Sequence, residues 1–148
     1  MQENQAHSGA RKAGPARANG PLLAVLDLGT NNCRLLIARP APPDQFRVVD
    51  SFSRIVRLGE GVGDSGRLSD AAMERTIAAL KICAERIRHH RVQHVRAIAT
   101  QAARQAANTG ELVARARAEA GVALAVISPE EEADLAALGV FDGANRWL

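Results

Sequence analysis

Residues 22 to 38, LLAVLDLGTNNCRLLIA, constrain the fold more than any other stretch of the chain. Leu22-Leu23-Ala24-Val25-Leu26 has the length and composition of a buried strand rather than an exposed alternating one. The run ends in Asp27 and turns through Gly29-Thr30-Asn31-Asn32. A second apolar run, Leu35-Leu36-Ile37-Ala38, follows at once. Two strands joined by about four small polar residues read as a hairpin. The turn offers a carboxylate at the strand mouth, a glycine that lets backbone approach a ligand, a hydroxyl and two amides. Such groups match a metal-bound phosphate, with donors for its oxygens and Asp27 for a hydrated cation. The competing reading is a surface hairpin that uses Asp, Gly and Asn as hairpins commonly do, and residue types alone leave both open.

The chain has 148 residues, enough for one domain with a proper core. Apolar residues make up 47% but aromatic ones only 3%, so the core must be aliphatic. The net charge of +3 favours anionic partners weakly and does not point to specific nucleic acid. No apolar run is long enough to cross a bilayer, and residues 1 to 20 lack the apolar middle of a signal peptide. Cys33 and Cys83 lie in no metal or redox spacing. The composition thus predicts a reduced, cytoplasmic protein with no membrane contact.

Residues 1 to 20 are small, polar and basic, which predicts a disordered tail ahead of a domain over 21–148. After the hairpin, Pro40-Ala41-Pro42-Pro43-Asp44 predicts a turn that ends strand pairing. Phe46 to Leu58 predicts a third strand with a bulge near Asp50-Ser51, completing an antiparallel meander. The glycine-rich stretch from Gly59 to Gly66 has no Gly-Lys-Ser/Thr ending and no strand-to-helix context, so it reads as a connector. Ser69 caps a helix to about His89, whose apolar stripe is Met73, Ile77, Leu80, Ala84 and Ile87. Its basic end, Arg86 to Arg91, complements the helix dipole, with a polyanion-contacting patch as the functional alternative. His89-His90 have no carboxylate near in sequence and are not metal ligands.

Val92 to Thr100 predicts a fourth strand. A helical stretch over residues 101–107 follows, then a second helix capped by Asn108 and reaching Gly121. Val122 to Ile127 predicts a fifth, buried strand. Strands alternating with helices imply parallel crossovers. The predicted architecture is α/β: a mixed five-stranded sheet made of the three-stranded meander plus two parallel strands, on a ribonuclease H-like plan.

Ser128-Pro129-Glu130-Glu131-Glu132-Ala133 opens the last helix. Ser128 at the N-cap, Pro129 at the first position and Glu131 at the third make a capping box with the favoured proline. Glu132 is not needed by that cap. It sits just past the carboxyl end of a strand, as does Asp27, where ligands bind in open α/β sheets.

Ala-Val-Leu-Asp-Leu-Gly-Thr-Asn, residues 24 to 31, resembles the first phosphate loop of the actin, sugar kinase and heat-shock chaperone superfamily. Asp-Leu-Gly-Thr-Asn-Asn followed by Arg-Leu-Leu-Ile-Ala is most similar to the exopolyphosphatase / guanosine pentaphosphate phosphohydrolase family. Leu58 to Gly61 resembles that family's loop after the third strand. Thr100 to Asn108 resembles its Thr-x-x-x-Arg-x-Ala-x-Asn motif, whose Arg contacts substrate phosphate, by position Arg104. Ser128 to Ala133 resembles its Ser-Gly-x-Glu-Glu-Ala-Arg motif, whose second Glu is the catalytic base, by position Glu132. The resemblance implies metal-assisted phosphoanhydride hydrolysis. Asp27 with Mg²⁺ and the turn donors Gly29, Thr30 and Asn31 would hold the terminal phosphates. Arg104 would neutralise developing charge, and Glu132 would orient or deprotonate water. The implied substrates are inorganic polyphosphate or guanosine pentaphosphate, and full-length relatives are expected to be homodimers.

Two features depart from the family. Asp134 stands where the family has Arg, and Pro129 where it has Gly. The family's second phosphate loop and second lobe do not follow within this sequence. The expectation is therefore a lobe carrying one wall of a cleft, with little activity alone. An actin-like kinase or ATPase lobe, and a non-catalytic polyphosphate- or nucleotide-binding lobe, are the alternatives.

Overall fold

The computed structural model describes residues 20–41 and 45–137. The expected tail, the middle of the proline-rich turn and the segment after Ala137 lie outside the described residues. One mixed sheet runs in the order β3-β2-β1-β4-β5. Its strands are β1 (Leu23–Leu28), β2 (Asn32–Ala41), β3 (Gln45–Ile55), β4 (His94–Ala99) and β5 (Leu124–Val126). β1, β2 and β3 pair antiparallel, while β1–β4 and β4–β5 pair parallel. This is the expected ribonuclease H-like plan.

The connecting helices are α1 (Val62–Ser65), α2 (Asp70–His89), α3 (Gln101–Gln105), α4 (Thr109–Arg115) and α5 (Pro129–Ala137). The Ser69 hydroxyl accepts from the Ala72 amide at 3.1 Å and caps α2 as its sequence predicts. Met73, Ile77, Leu80 and Ala84 are buried, as the stripe requires. They pack on Ala24, Leu26 and Leu28 of β1 and on Cys33, Leu35 and Ile37 of β2. The largest fully buried side chains are Leu, Ile, Met, Val and Thr, the aliphatic core that the scarcity of aromatics demands.

Several expectations change. β1 is not buried on both faces: Leu23, Val25 and Asp27 are only partly covered, alternating with buried Ala24, Leu26 and Leu28. The helical layer covers one face, and Asp27 belongs to the other. Pairing of β2 does not stop at the prolines, because Pro40 pairs with Phe46 and Ala41 with Gln45. β1 begins opposite Ala38, so this overhang needs a partner on one side only. The register shift between Ile37 and Ala38 leaves Val49 as the extra residue, beside the expected bulge position. β3 ends at Ile55, short of Leu58. The glycine-rich connector contains the short helix α1, bounded by Gly61 and Gly66 at positive φ. β5 has three residues, and Ala125 and Val126 are exposed, because it is a sheet edge rather than a buried strand. α4 passes into a π turn, Ala116–Ala120, before Gly121 closes it in the left-handed region.

Asn108 also acts differently from its sequence reading. Its side chain makes no cap for α4. Instead its Oδ1 accepts from the Leu68 amide at 2.7 Å and its Nδ2 donates to the Leu68 carbonyl at 3.0 Å. It pins the loop before α2 to the start of α4. The basic end of α2 is partly consumed by β3. Arg86 pairs with Asp50 at 3.0 Å and lies over the Phe52 ring, and His90 meets Asp50 at 3.1 Å. Among the described residues no cluster of His, Cys, Asp and Glu has the makings of a three-ligand metal site, and no helix is long and apolar enough to cross a membrane.

Candidate active site

The hairpin turn is built by backbone. The Gly29 amide donates to the Asn32 carbonyl at 2.9 Å and closes the bend. The Asn31 carbonyl accepts from the amides of Val56 at 2.8 Å and Arg57 at 3.0 Å. The Thr30 carbonyl accepts from Gly59 at 3.0 Å. From beneath, the Thr100 amide donates to the Leu28 carbonyl at 3.1 Å. The turn and its foot thus hang from two other segments, Val56–Gly59 and Thr100.

Gly59 is a site-supporting residue that its sequence reading left as a connector. A β-carbon there would lie 2.5 Å from the Thr30 methyl, well inside contact distance. Only a glycine lets that backbone sit against the turn. The signal was present as the glycine following the third strand, but no spacing rule connects it to a turn about 30 residues earlier.

Asp27 ends the exposed side of β1, with Arg34 beside it on β2 and Ile98 on β4. Its Oδ1 is buried without a hydrogen-bond partner. Burial pushes its carboxyl from the ordinary 3.8 up to about 6; Arg34 opposes the rise, and the Glu132 charge adds to it. A buried acceptor left unsatisfied is costly, so such an atom marks a place where a bound group belongs. Arg34 makes no ion pair with it, yet its influence was readable from counting the hairpin register back from the turn.

The second part of the site is the start of α5. The Ser128 hydroxyl accepts from the Glu131 amide at 3.1 Å, and the Glu131 carboxylate accepts from the Ser128 amide at 3.4 Å. The capping box therefore forms and leaves Glu132 free of it. Arg104, from α3, donates through Nη1 to the Ile127 carbonyl at 2.8 Å and to Glu132 Oε2 at 3.1 Å. One guanidinium thus ties the end of β5 to the first turn of α5. Glu132 in turn lies within electrostatic reach of Asp27. The structure brings Asp27, Arg104 and Glu132 to one end of the sheet, where the Gly29–Asn31 turn also stands.

Asp134 is exposed. It lies about 200° around the helix from Glu132, so the reversed charge points away from the carboxylate pair. Pro129 occupies the first helical position, where it costs no hydrogen bond.

The model of the Ppx/GppA phosphatase family matches residues 36–146. An Aquifex aeolicus member of the Ppx/GppA family is 35% identical over 81% of this chain and 39% of its own, with a TM-score of 0.76. An exopolyphosphatase-like protein is 37% identical over 85% of this chain and 38% of its own, with a TM-score of 0.76. An exopolyphosphatase from Cytophaga hutchinsonii is 31% identical over 77% of this chain and 36% of its own, with a TM-score of 0.72. The chain therefore spans about two fifths of the length of the solved structures it matches. The family model covers most of the chain, and these structures share its fold at more than 30% identity: the chain belongs to the Ppx/GppA phosphatase family.

Proposed function

We propose that this chain forms one wall of a cleft that hydrolyses phosphoanhydrides, releasing terminal phosphate from inorganic polyphosphate or converting guanosine pentaphosphate to the tetraphosphate. The observation that carries the reading is the buried, unpartnered oxygen of Asp27, set within reach of a carboxylate that an arginine holds in place.

Donors of Thr30 and Asn31 bind the phosphate oxygens, while the Gly29 amide, expected as a third donor, is committed to the Asn32 carbonyl and shapes the bend that presents them. Asn31 is exposed and Thr30 half-buried, so both are reachable from solvent. Arg104 contributes positive charge where negative charge develops on the transferred group. Glu132 orients the attacking water and accepts its proton. Asp27 fits Mg²⁺, because that ion takes one or two carboxylates and fills its remaining positions with water and phosphate oxygens. Bound there, the ion would polarise the phosphoryl oxygens. Asp27 must be ionised for that role, and a neighbouring cation favours ionisation.

The experiment is phosphate release from polyphosphate and from guanosine pentaphosphate, by the chain alone and with the family's second lobe supplied. Glu132→Gln should lower the rate by about 10²–10⁴-fold and leave substrate binding intact. Turnover at the parent rate in that variant removes Glu132 from the mechanism.

A further inference from the structure

The two cysteines are 50 positions apart in sequence and follow no redox spacing, yet their sulfurs lie 3.9 Å apart in the core. Cys33 is the first inward residue of β2 after the phosphate-side turn, and Cys83 lies in the third quarter of α2. Neither is bonded to another cysteine, and both are fully buried. We propose that Cys33 and Cys83 form a redox site, which a small peroxide converts to an intramolecular disulfide joining the base of the Gly29–Asn32 turn to α2.

The chemistry balances with peroxide as the named oxidant. The Cys83 sulfur attacks one peroxide oxygen: an S–O bond forms, the O–O bond breaks and water leaves. The Cys33 sulfur then attacks the Cys83 sulfur: the S–S bond forms, the S–O bond breaks and a second water leaves. Two thiols lose two electrons and one peroxide gains them. The two sulfurs share a hydrogen bond in which either can donate, and the thiol that donates favours the thiolate of its partner. Arg86 and Arg54 support the Cys83 thiolate further, against its burial. Arg86, three residues along α2 from Cys83, makes Cys83 the attacking sulfur and leaves Cys33 to resolve it.

Burial decides what the oxidised sulfur meets. A sulfenic acid at Cys83 is closed off from glutathione-sized thiols, and its neighbour within reach is Cys33. Entry of peroxide needs only local opening of the α2–β2 contact. The sulfurs must then close from 3.9 Å to about 2.05 Å, a step that rotation of the two side chains can begin. Cys33 pairs directly with Leu28 at the foot of the turn, so the link reaches the segment that carries Gly29, Thr30 and Asn31.

The test treats the folded 148-residue chain with hydrogen peroxide, then quenches with acid and alkylates under denaturing conditions for intact-mass and peptide analysis. The expected result is a loss of about 2 Da, a cross-linked peptide pair containing Cys33 and Cys83, and reversal by dithiothreitol. Cys33→Ser and Cys83→Ser should each abolish the loss, and Cys33→Ala repeats the control if the serine variant does not fold. The peptide map of the parent chain needs no variant at all. Two free thiols after treatment, oxygen additions of about 16 or 32 Da without cross-linking, or disulfide-linked dimers would each overturn the proposal.

Discussion

The turn after β1 and the start of α5 face the same end of the sheet but are held there by unlike means. Four backbone amides from Val56, Arg57, Gly59 and Thr100 fasten the turn and its foot, and the adjoining Leu28, Cys33, Val56 and Leu58 are all in the core. α5 buries none of its described residues. Its capping box is internal to its own start, and its attachments to the sheet are the Ile127 amide on the Ala99 carbonyl at 3.1 Å and the bridging guanidinium of Arg104. The difference teaches that one wall is fastened by many backbone bonds and core packing, while the other rests on one backbone bond before it and one bridging side chain. Arg104 is also the group assigned to the substrate phosphate, so occupancy of the cleft and placement of Glu132 are linked through one residue.

The contrast can be broken most directly at Arg104. Arg104→Ala removes a charged hydrogen bond to Ile127 and a partly exposed ion pair to Glu132, together about 3 kcal/mol of local attachment. Amide exchange should accelerate in α5 by about 100-fold and remain unchanged in β1 and β2. Equal acceleration in both regions would erase the distinction.

Asp27 tests the rigid wall through its charge. Its folded pKa is raised, so the folded chain holds the proton more tightly than the unfolded one. Stability associated with this group is complete below about pH 4, falls as pH rises to about 6, and stays low above that. Asp27→Asn should therefore stabilise the chain by about 3 kcal/mol at pH 8 and by nothing at pH 3.5, while abolishing phosphate release. Urea titrations at the two pH values measure the difference. An equal effect at both would refute burial as the source of the shift.

Gly59→Ala sharpens the same wall sterically. The new methyl meets Thr30, and about 2 kcal/mol of stability should be lost. Adding Thr30→Ser removes the opposing methyl and should restore most of it, whereas Gly63→Ala, with open space around it, serves as the neutral control. A loss that the second substitution leaves untouched would mean the backbone, not the contact, is at fault. Ser128→Ala has the smallest expected effect, about 1 kcal/mol from the lost cap, read as fraying of α5 with no change at the turn.

Much of the fold was legible because its signals are local. Ser69 and Ser128 cap helices through residues three positions away, the α2 stripe follows the helical period, and the β1–β2 hairpin is set by its turn. What failed were readings that depend on neighbours. β5 looked buried from its composition but is an edge, and Pro40 looked like a strand end but pairs where β1 has not yet begun. Asn108 looked like a cap but serves Leu68, since a side-chain amide bonds whatever backbone tertiary packing brings to it.

From its residues alone the chain determined an aliphatic α/β lobe with a polar turn after the first strand and an acidic, well-capped last helix. Those are properties of short segments, and periodicity and capping chemistry act within a few residues. Tertiary structure decided that Asp27, Arg104 and Glu132 gather at one end of the sheet, that Gly59 must be small because Thr30 lies against it, and that Cys33 meets Cys83. Such contacts join segments many residues apart, and only packing of helices on a registered sheet sets the distances between them.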